Sequence, residues 1–243
     1  QRKRGTKAAA SDPGKAALNL PLSQPDASNC FGDQVTVQGQ LSKTDTQRLL
    51  HHTHHAYGTN TEDVQIAAFT EAHSTWHQQP AMAVDLERHG RDQGDLDLTQ
   101  AVGWFTRFDQ TVINTPSLRG DLPSHLVAAK EARATAIASD PVASRAPVVI
   151  NYMGDTRISG EALPFSLTTL DTGPDTAADN PRLHEIELNA RLDDGRLTLD
   201  LNFASPRINP KAMGEVMGHC LTTLRQLISH CEAQAEALLT PSD

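Results

Sequence analysis

Glu185-Ile186-Glu187-Leu188-Asn189-Ala190 alternates apolar and polar residues, and Leu197-Thr198-Leu199-Asp200-Leu201 alternates again after Asp194-Gly195. Successive strand side chains point to opposite faces, so each run reads as a strand with one buried face. Asp-Gly between two such runs tolerates the positive φ angles of a tight turn, and the whole predicts a β-hairpin. Pro210 then opens a long helix that the pattern carries to about Leu239. Met213, Val216, Met217, Cys220, Leu221, Leu224, Leu227 and Ile228 share its apolar face. A one-sided hairpin followed by a one-sided helix predicts a layered α/β domain.

Upstream the same two periods recur. Gln34 to Leu41 alternates as a half-buried strand, and Ser42-Lys43-Thr44-Asp45 has capping-box form for a helix reaching Tyr57, with Gly58 closing it. A second helix starts near Thr61, carries Val64, Ala67, Ala68, Ala72 and Trp76, and stops before Pro80. Residues 81–86, 111–114 and 147–152 read as further strands, residues 87–98 as a polar loop, and residues 121–138 as an Ala-rich helix. Residues 1–33 are rich in Ala, Gly, Pro, Ser and Asp without periodicity, which predicts a linker or extended arm. Within it, Leu18-Asn19-Leu20-Pro21-Leu22 is apolar enough to lie along a surface.

Composition narrows the function. Lys and Arg total 21 against 30 Asp and Glu, and the net charge of −9 argues against a nucleic-acid partner. The basic cluster Arg2-Lys3-Arg4 with Lys7 reads as a solvated tail. No run approaches the roughly 18 apolar residues that a membrane span needs, and no secretory leader is visible. Cys30, Cys220 and Cys231 are too few and scattered for a disulfide framework, so a reducing, cytoplasmic compartment is expected. A chain of 243 residues starting at Gln1 reads as one large domain or two small ones, and as a piece of something longer.

Histidine is the first candidate for chemistry. His51/His55 and His73/His77 are each four residues apart, the spacing of two ligands on one helix face. Position 74 is Ser where a zinc-protease helix would carry its Glu, and no third ligand is evident, so a polar, solvated helix face is the expected reading. No metal is therefore expected. Serine-hydrolase, P-loop and dinucleotide motifs are absent. Three segments remain. Val84 to Asp92 is an apolar strand running into charge beside Gly90, where burial would raise the proton affinity of a carboxylate such as Glu87. An ordinary charged turn is the alternative. Ala101-Val102-Gly103-Trp104-Phe105-Thr106 reads as packing. Ile150-Asn151-Tyr152-Met153-Gly154-Asp155 ends a strand in a polar pair whose phenol can position or protonate a substrate, or satisfy a backbone group.

In this order the segments resemble the epimerization domains of nonribosomal peptide synthetases, members of the condensation-domain superfamily. Leu86 to Asp92 is similar to the family's EGHGRE segment, Val102 to Thr106 to VGWFT, and Asn151 to Gly154 to NYLG. Thr59 to Ala68, with Glu62-Asp63, resembles the segment around the family's Asn-Asp pair. The likeness covers residues 18–235 and implies a chloramphenicol-acetyltransferase-like lobe. That lobe has a mixed, mostly antiparallel sheet flanked by helices, with residues 1–33 as inter-lobe arm and 34–243 as the C-terminal lobe. The family's HHxxxDG motif belongs to an N-terminal lobe and is missing here. Arg88 replaces a small Gly, Phe108-Asp109-Gln110 replaces a Tyr-Pro pair, Asp155 replaces a Gln, and a Gly-Tyr-Gly loop is missing between Ala134 and Val148.

The resemblance implies inversion of the Cα of an aminoacyl or peptidyl thioester on the phosphopantetheine arm of a peptidyl carrier protein, with no directly bound cofactor. Glu87 would be one acid/base group, with the second a His of the missing lobe, and Asn151 and Tyr152 would hold the developing enolate. The isolated chain is then expected to be inactive. A noncatalytic scaffold or carrier-docking lobe, a condensation domain fragment and a metal-binding helix pair are the other readings.

Overall fold

A computed structural model describes residues 19–91, 97–98, 100–115, 121–138, 145–155 and 173–243. The basic tail, Leu18, Asp92 and the region of the missing loop, residues 139–144, lie outside them. In chain order the elements are β1 Gln34–Gln40, α1 Lys43–His52, α2 Thr61–His77, β2 Ala81–Arg88 and β3 Arg107–Asn114. They continue with α3 Leu122–Ala134, β4 Ile137–Ala138, β5 Val148–Asp155, β6 Ile186–Asp193, β7 Arg196–Ala204 and α4 Pro210–Ala233.

The seven strands form one sheet in the order β1-β7-β6-β5-β2-β3-β4. Only β5 runs parallel to its neighbours, β6 on one side and β2 on the other, and the other four pairings are antiparallel. The expected hairpin is β6–β7, turning at Asp194 (φ 45°) and Gly195 (φ 71°). Alternation splits the sheet into two unlike faces. Val84, Leu86, Ile150, Ile186, Leu188, Leu199, Leu201 and Phe203 point to the helices and form the core. The opposite face is polar: Thr36 bonds Asn202 at 2.7 Å, Gln38 bonds Asp200 at 2.8 Å and Gln40 bonds Thr198 at 3.0 Å.

Several boundaries differ from the sequence reading, each for a local reason. Helix α1 starts at the expected Ser42 cap, which accepts the Asp45 N–H at 3.0 Å, but ends at His52. There the Thr53 hydroxyl takes the Leu49 carbonyl at 2.7 Å and the His54 ring takes that of Leu50 at 3.0 Å, so side chains replace the next helical donors. Strand β2 runs through Arg88 rather than stopping at Leu86, because β3 pairs with its whole length from Ala81↔Asn114 to Arg88↔Arg107. Helix α3 ends at Ala134, with Ile137–Ala138 returning as the short edge strand β4. Helix α4 ends at Ala233, and beyond it Leu238 N–H reaches the Ala56 carbonyl at 2.8 Å.

Residues 19–33 lie along the lobe and are tied to it. Ser23 N–H bonds the Arg207 carbonyl at 2.7 Å, and Phe31 N–H bonds that of Asn180 at 3.0 Å. The Arg207 guanidinium bonds the carbonyls of Pro25 and, at 2.6 Å, Ala27 while pairing with Glu185 at 2.5 Å. Leu20 and Leu22 pack against the core.

Helix α2 is buried on nearly every side, wedged between α3, α4 and the sheet. Its start is a reciprocal capping box: Asn60 accepts the Asp63 N–H at 2.9 Å and Asp63 accepts the Asn60 N–H at 2.8 Å. The histidine expectation holds only in part: His51, His52 and His55 are exposed. His51 and His55 do not share a helix face, because α1 ends between them. His73 and His77 do, but that face is buried rather than solvated, with ring centroids 4.9 Å apart and Phe69 and Trp76 against His73. Among the described residues, no group of three or more His, Cys, Asp or Glu is placed to hold a metal ion. All three cysteines are free thiols. No described helix is long and apolar enough to cross a membrane.

Burial pushes His73 down to about 3, with His77 adding to the effect. A lowered histidine costs stability as pH falls, beginning near its unfolded value of about 6.5 and continuing to its folded value. His73→Leu is therefore expected to match the parent at pH 7 and to be the more stable of the two at pH 4.5. Chemical denaturation at both pH values checks this, and equal acid sensitivity would refute it.

Candidate active site

The neighbouring strands β2 and β5 run parallel and end together. Beside them β3 begins, α2 presents its N-terminus and α3 its C-terminus. These ends enclose an open cleft of about 950 Å³, and Glu87, Asn151 and Tyr152 all line it. The three candidate residues, far apart in sequence, are thus gathered in one place.

Their arrangement follows from the register. Leu86 is paired with Ile150, so the next residues along, Glu87 and Asn151, emerge side by side on the polar face. Tyr152 points the other way, with Ile150, and packs against the core near the start of α2. The phenol therefore reaches the cleft from the helix side, across the sheet end from Glu87.

Glu87 is half-buried, and that burial raises its proton affinity above the ordinary carboxylate range. His184 opposes the rise and Glu187 adds to it. Tyr152 is also pushed up, mainly by burial, with the Thr61 hydroxyl opposing and Asp155 and Glu62 reinforcing. A raised carboxyl and a neutral phenol lining one cleft from opposite sides suit proton transfer and hydrogen-bonding of an oxyanion.

The rest of the cleft is strongly polar. Arg88 crosses it to Glu62, with Nη1 at 2.5 and 2.6 Å from the two carboxylate oxygens, and its Nε lies 3.6 Å from Asp109. Arg107 forks onto Asp109 at 2.9 and 3.2 Å. Arg133 forks onto Asp63 at 2.5 and 3.1 Å, bonding the end of α3 to the start of α2. The Glu62-Asp63 pair thus divides its work, one carboxylate holding Arg88 and the other capping a helix and holding Arg133.

The turn after β2 presses on the segment before β3. Gly90 has φ 63°, and a Cβ there would lie 1.8 Å from the Phe105 carbonyl oxygen. The Arg91 guanidinium stands 4.9 Å over the Phe105 ring. Phe105 packs as expected, but Trp104 is 90% exposed and Val102 wholly exposed, because the turn uses only the one aromatic. Gly90→Ala is expected to cost about 2 kcal/mol, from the left-handed backbone and from the contact with Phe105. Thermal or urea unfolding measures this, and a loss below about 0.5 kcal/mol would show that the turn is loose.

The sequence reading missed the deeper layer. Asp85, wholly buried, accepts bonds from Gln110 Nε2 at 3.0 Å, Ala146 N–H at 3.3 Å and His184 Nε2 at 2.9 Å. The available signal was a carboxylate interrupting the apolar run 81–86, because a charge in a strand buried on both faces needs partners. No such clue exists for His184, which only the fold brings to β2.

No family model matches the chain. Tyrocidine synthase 2 of Brevibacillus parabrevis is 26% identical over 228 residues, covering 86% of this chain. Chondramide synthase cmdD of Chondromyces crocatus is 30% identical over 241 residues, covering 92% of this chain. The chain spans only 6% of the length of each. Among solved structures, the epimerization domain from the third module of tyrocidine synthetase B superposes with TM-score 0.78 at 24% identity. It matches 88% of this chain and 52% of its own. The EpoB cyclization-docking bidomain of Sorangium cellulosum superposes with TM-score 0.66 at 18% identity, over 86% of this chain and 44% of its own. The chain is therefore similar over most of its length to segments of nonribosomal peptide synthetases, and it has the fold of about half of these epimerization and cyclization-docking structures.

Proposed function

We propose that this lobe belongs to an epimerization-type domain, inverting the Cα of an aminoacyl or peptidyl group held as a thioester on a carrier protein. The thioester acidifies the Cα–H bond. Glu87 removes or returns that proton on one face of the Cα, and a group from an N-terminal lobe acts on the other. The bond electrons move into the carbonyl to make an enolate, and return to Cα when a proton is delivered from the opposite side. Asn151, and Tyr152 from across the sheet end, donate hydrogen bonds to the enolate oxygen. The substrate arrives on the phosphopantetheine arm of a peptidyl carrier protein, and no cofactor is bound directly. Three free thiols suit work in the cytoplasm.

The observation that carries this reading is the half-buried Glu87 beside Asn151 in a cleft that also contains Tyr152. The test is exchange of the Cα hydrogen for deuterium in an aminoacyl thioester on its carrier protein, with this lobe joined to an N-terminal lobe. The lobe alone is expected to give no exchange. Robust exchange by the 243-residue chain alone would refute the two-lobe assignment.

A second reading rests on Arg88. Its guanidinium occupies the helix side of the cleft, bonded to Glu62. A lobe kept for binding carrier protein would tolerate such an obstruction. It would bind carrier protein without exchange, and Arg88→Gly would not change that. A condensation activity predicts peptide-bond formation in the same assay instead.

A further inference from the structure

We infer that His184 is a positioning residue for Glu87: anchored on the buried Asp85 carboxylate and packed on Phe108, its imidazole supports the Glu87 carboxyl as the base of the cleft. The inference rests on the reading of Glu87 as the proton-transfer group.

The geometry is local and specific. Asp85 and Glu87 are two apart on β2 and share the polar face. His184, 4% exposed, stands 2.9 Å from Asp85. Its ring packs 5.7 Å from that of Phe108, the residue paired directly across from Glu87 on β3. The imidazole is therefore fixed at one nitrogen by a carboxylate and on one side by the ring beside Glu87. Asp85 itself is immobilised by Gln110 of β3 and by the Ala146 N–H.

Among the described residues, the Asp85 carboxylate is the charged group in contact with His184. Glu187 of β6 faces this point and is paired with Arg182 at 3.2 Å, and Arg145 lies 4.3 Å over the Phe108 ring. Glu187 works against ionisation of Glu87 and His184 works for it. A buried carboxyl without His184 would keep its proton to higher pH and make a poorer base at neutrality.

The test reads the Glu87 carboxyl directly in the full chain, without substrate, by titrating carboxyl-labelled glutamate in NMR and assigning the Glu87 signal by its loss in Glu87→Gln. His184→Gln keeps a donor for Asp85 and removes the imidazole. It is expected to raise the Glu87 midpoint by about one pH unit, roughly tenfold in proton affinity. His184→Asn, with the same donor on a shorter arm, is expected to do the same and keeps the test decisive if His184→Gln does not fold. An unchanged Glu87 midpoint in either folded variant overturns the inference. Expected midpoint shifts combined with no Cα exchange in a two-lobe domain would leave the inference standing and remove the epimerase reading.

Discussion

Glu87→Gln in a two-lobe domain is expected to slow Cα exchange by 10² to 10⁴-fold, the usual worth of one positioned acid/base group. Gln has nearly the same shape and still accepts and donates hydrogen bonds, so the cleft should keep its form. The expected stability change makes the test discriminating. Burial raises Glu87 in the folded lobe, so ionising it costs folding energy. A carboxyl with a raised folded value gives stability below its unfolded value, and loses it as pH climbs through the folded one. The parent loses that contribution as pH climbs from its unfolded value toward 7, and the neutral Gln does not. The variant should thus be inactive and at least as stable as the parent at pH 7, with the advantage vanishing at pH 4. Denaturant midpoints at the two pH values, set beside exchange rates, check both halves. An active variant removes Glu87 from the chemistry, and a less stable one gives it a structural role instead.

The largest stability effect is expected at Arg133→Met. Asp63 is fully buried, with a side-chain exposure of 0%, and its charge is balanced by the two-pronged Arg133 contact. Removing one partner of a buried pair leaves the other charge stranded and typically costs about 3–5 kcal/mol. Here Asp63 would keep the Asn60 N–H, which places the expected loss near the lower end, about 3 kcal/mol. Arg133→Lys should recover only part, because an ammonium cannot reproduce the fork. The double variant Asp63→Asn with Arg133→Met should be more stable than Arg133→Met alone, since no charge is then left unpaired. Urea unfolding of the set measures the coupling, and a single-variant loss below 1 kcal/mol would mean that water reaches Asp63. The cleft should suffer along with the fold, because Arg133 lines it.

The elements most readable in the sequence were those with one wet face and one dry face. The β6–β7 hairpin and α4 announced themselves because their two sides are chemically different, and Ser42 and Pro210 marked helix starts by local bonding alone. Helix α2 was legible as a helix but not as the centre of the lobe: its His73, Glu71 and Gln65 look like solvent-facing residues until α3 and α4 cover them. Glu87, Asn151 and Tyr152 could be named because strand ends carry polar groups and because the segments resemble a family. That Tyr152 reaches the cleft from the opposite face follows from register, which a single strand does not reveal. Asp85–His184 joins residues 99 apart, and no local pattern encodes such a contact.

Strand order also bears on how the protein is made. β1, near the start of the described chain, is an edge strand held by β7 alone, pairing from Gln34↔Ala204 to Gln40↔Thr198. The first strand therefore has no partner until the ribosome has delivered nearly everything else. β5 must likewise wait for β6 before its second neighbour exists. Contacts this distant in sequence slow folding, and exposed strand edges in the interval invite aggregation. Chains truncated before residue 196 lack the closing strand altogether, and are expected to depend on chaperones rather than to fold as shorter domains.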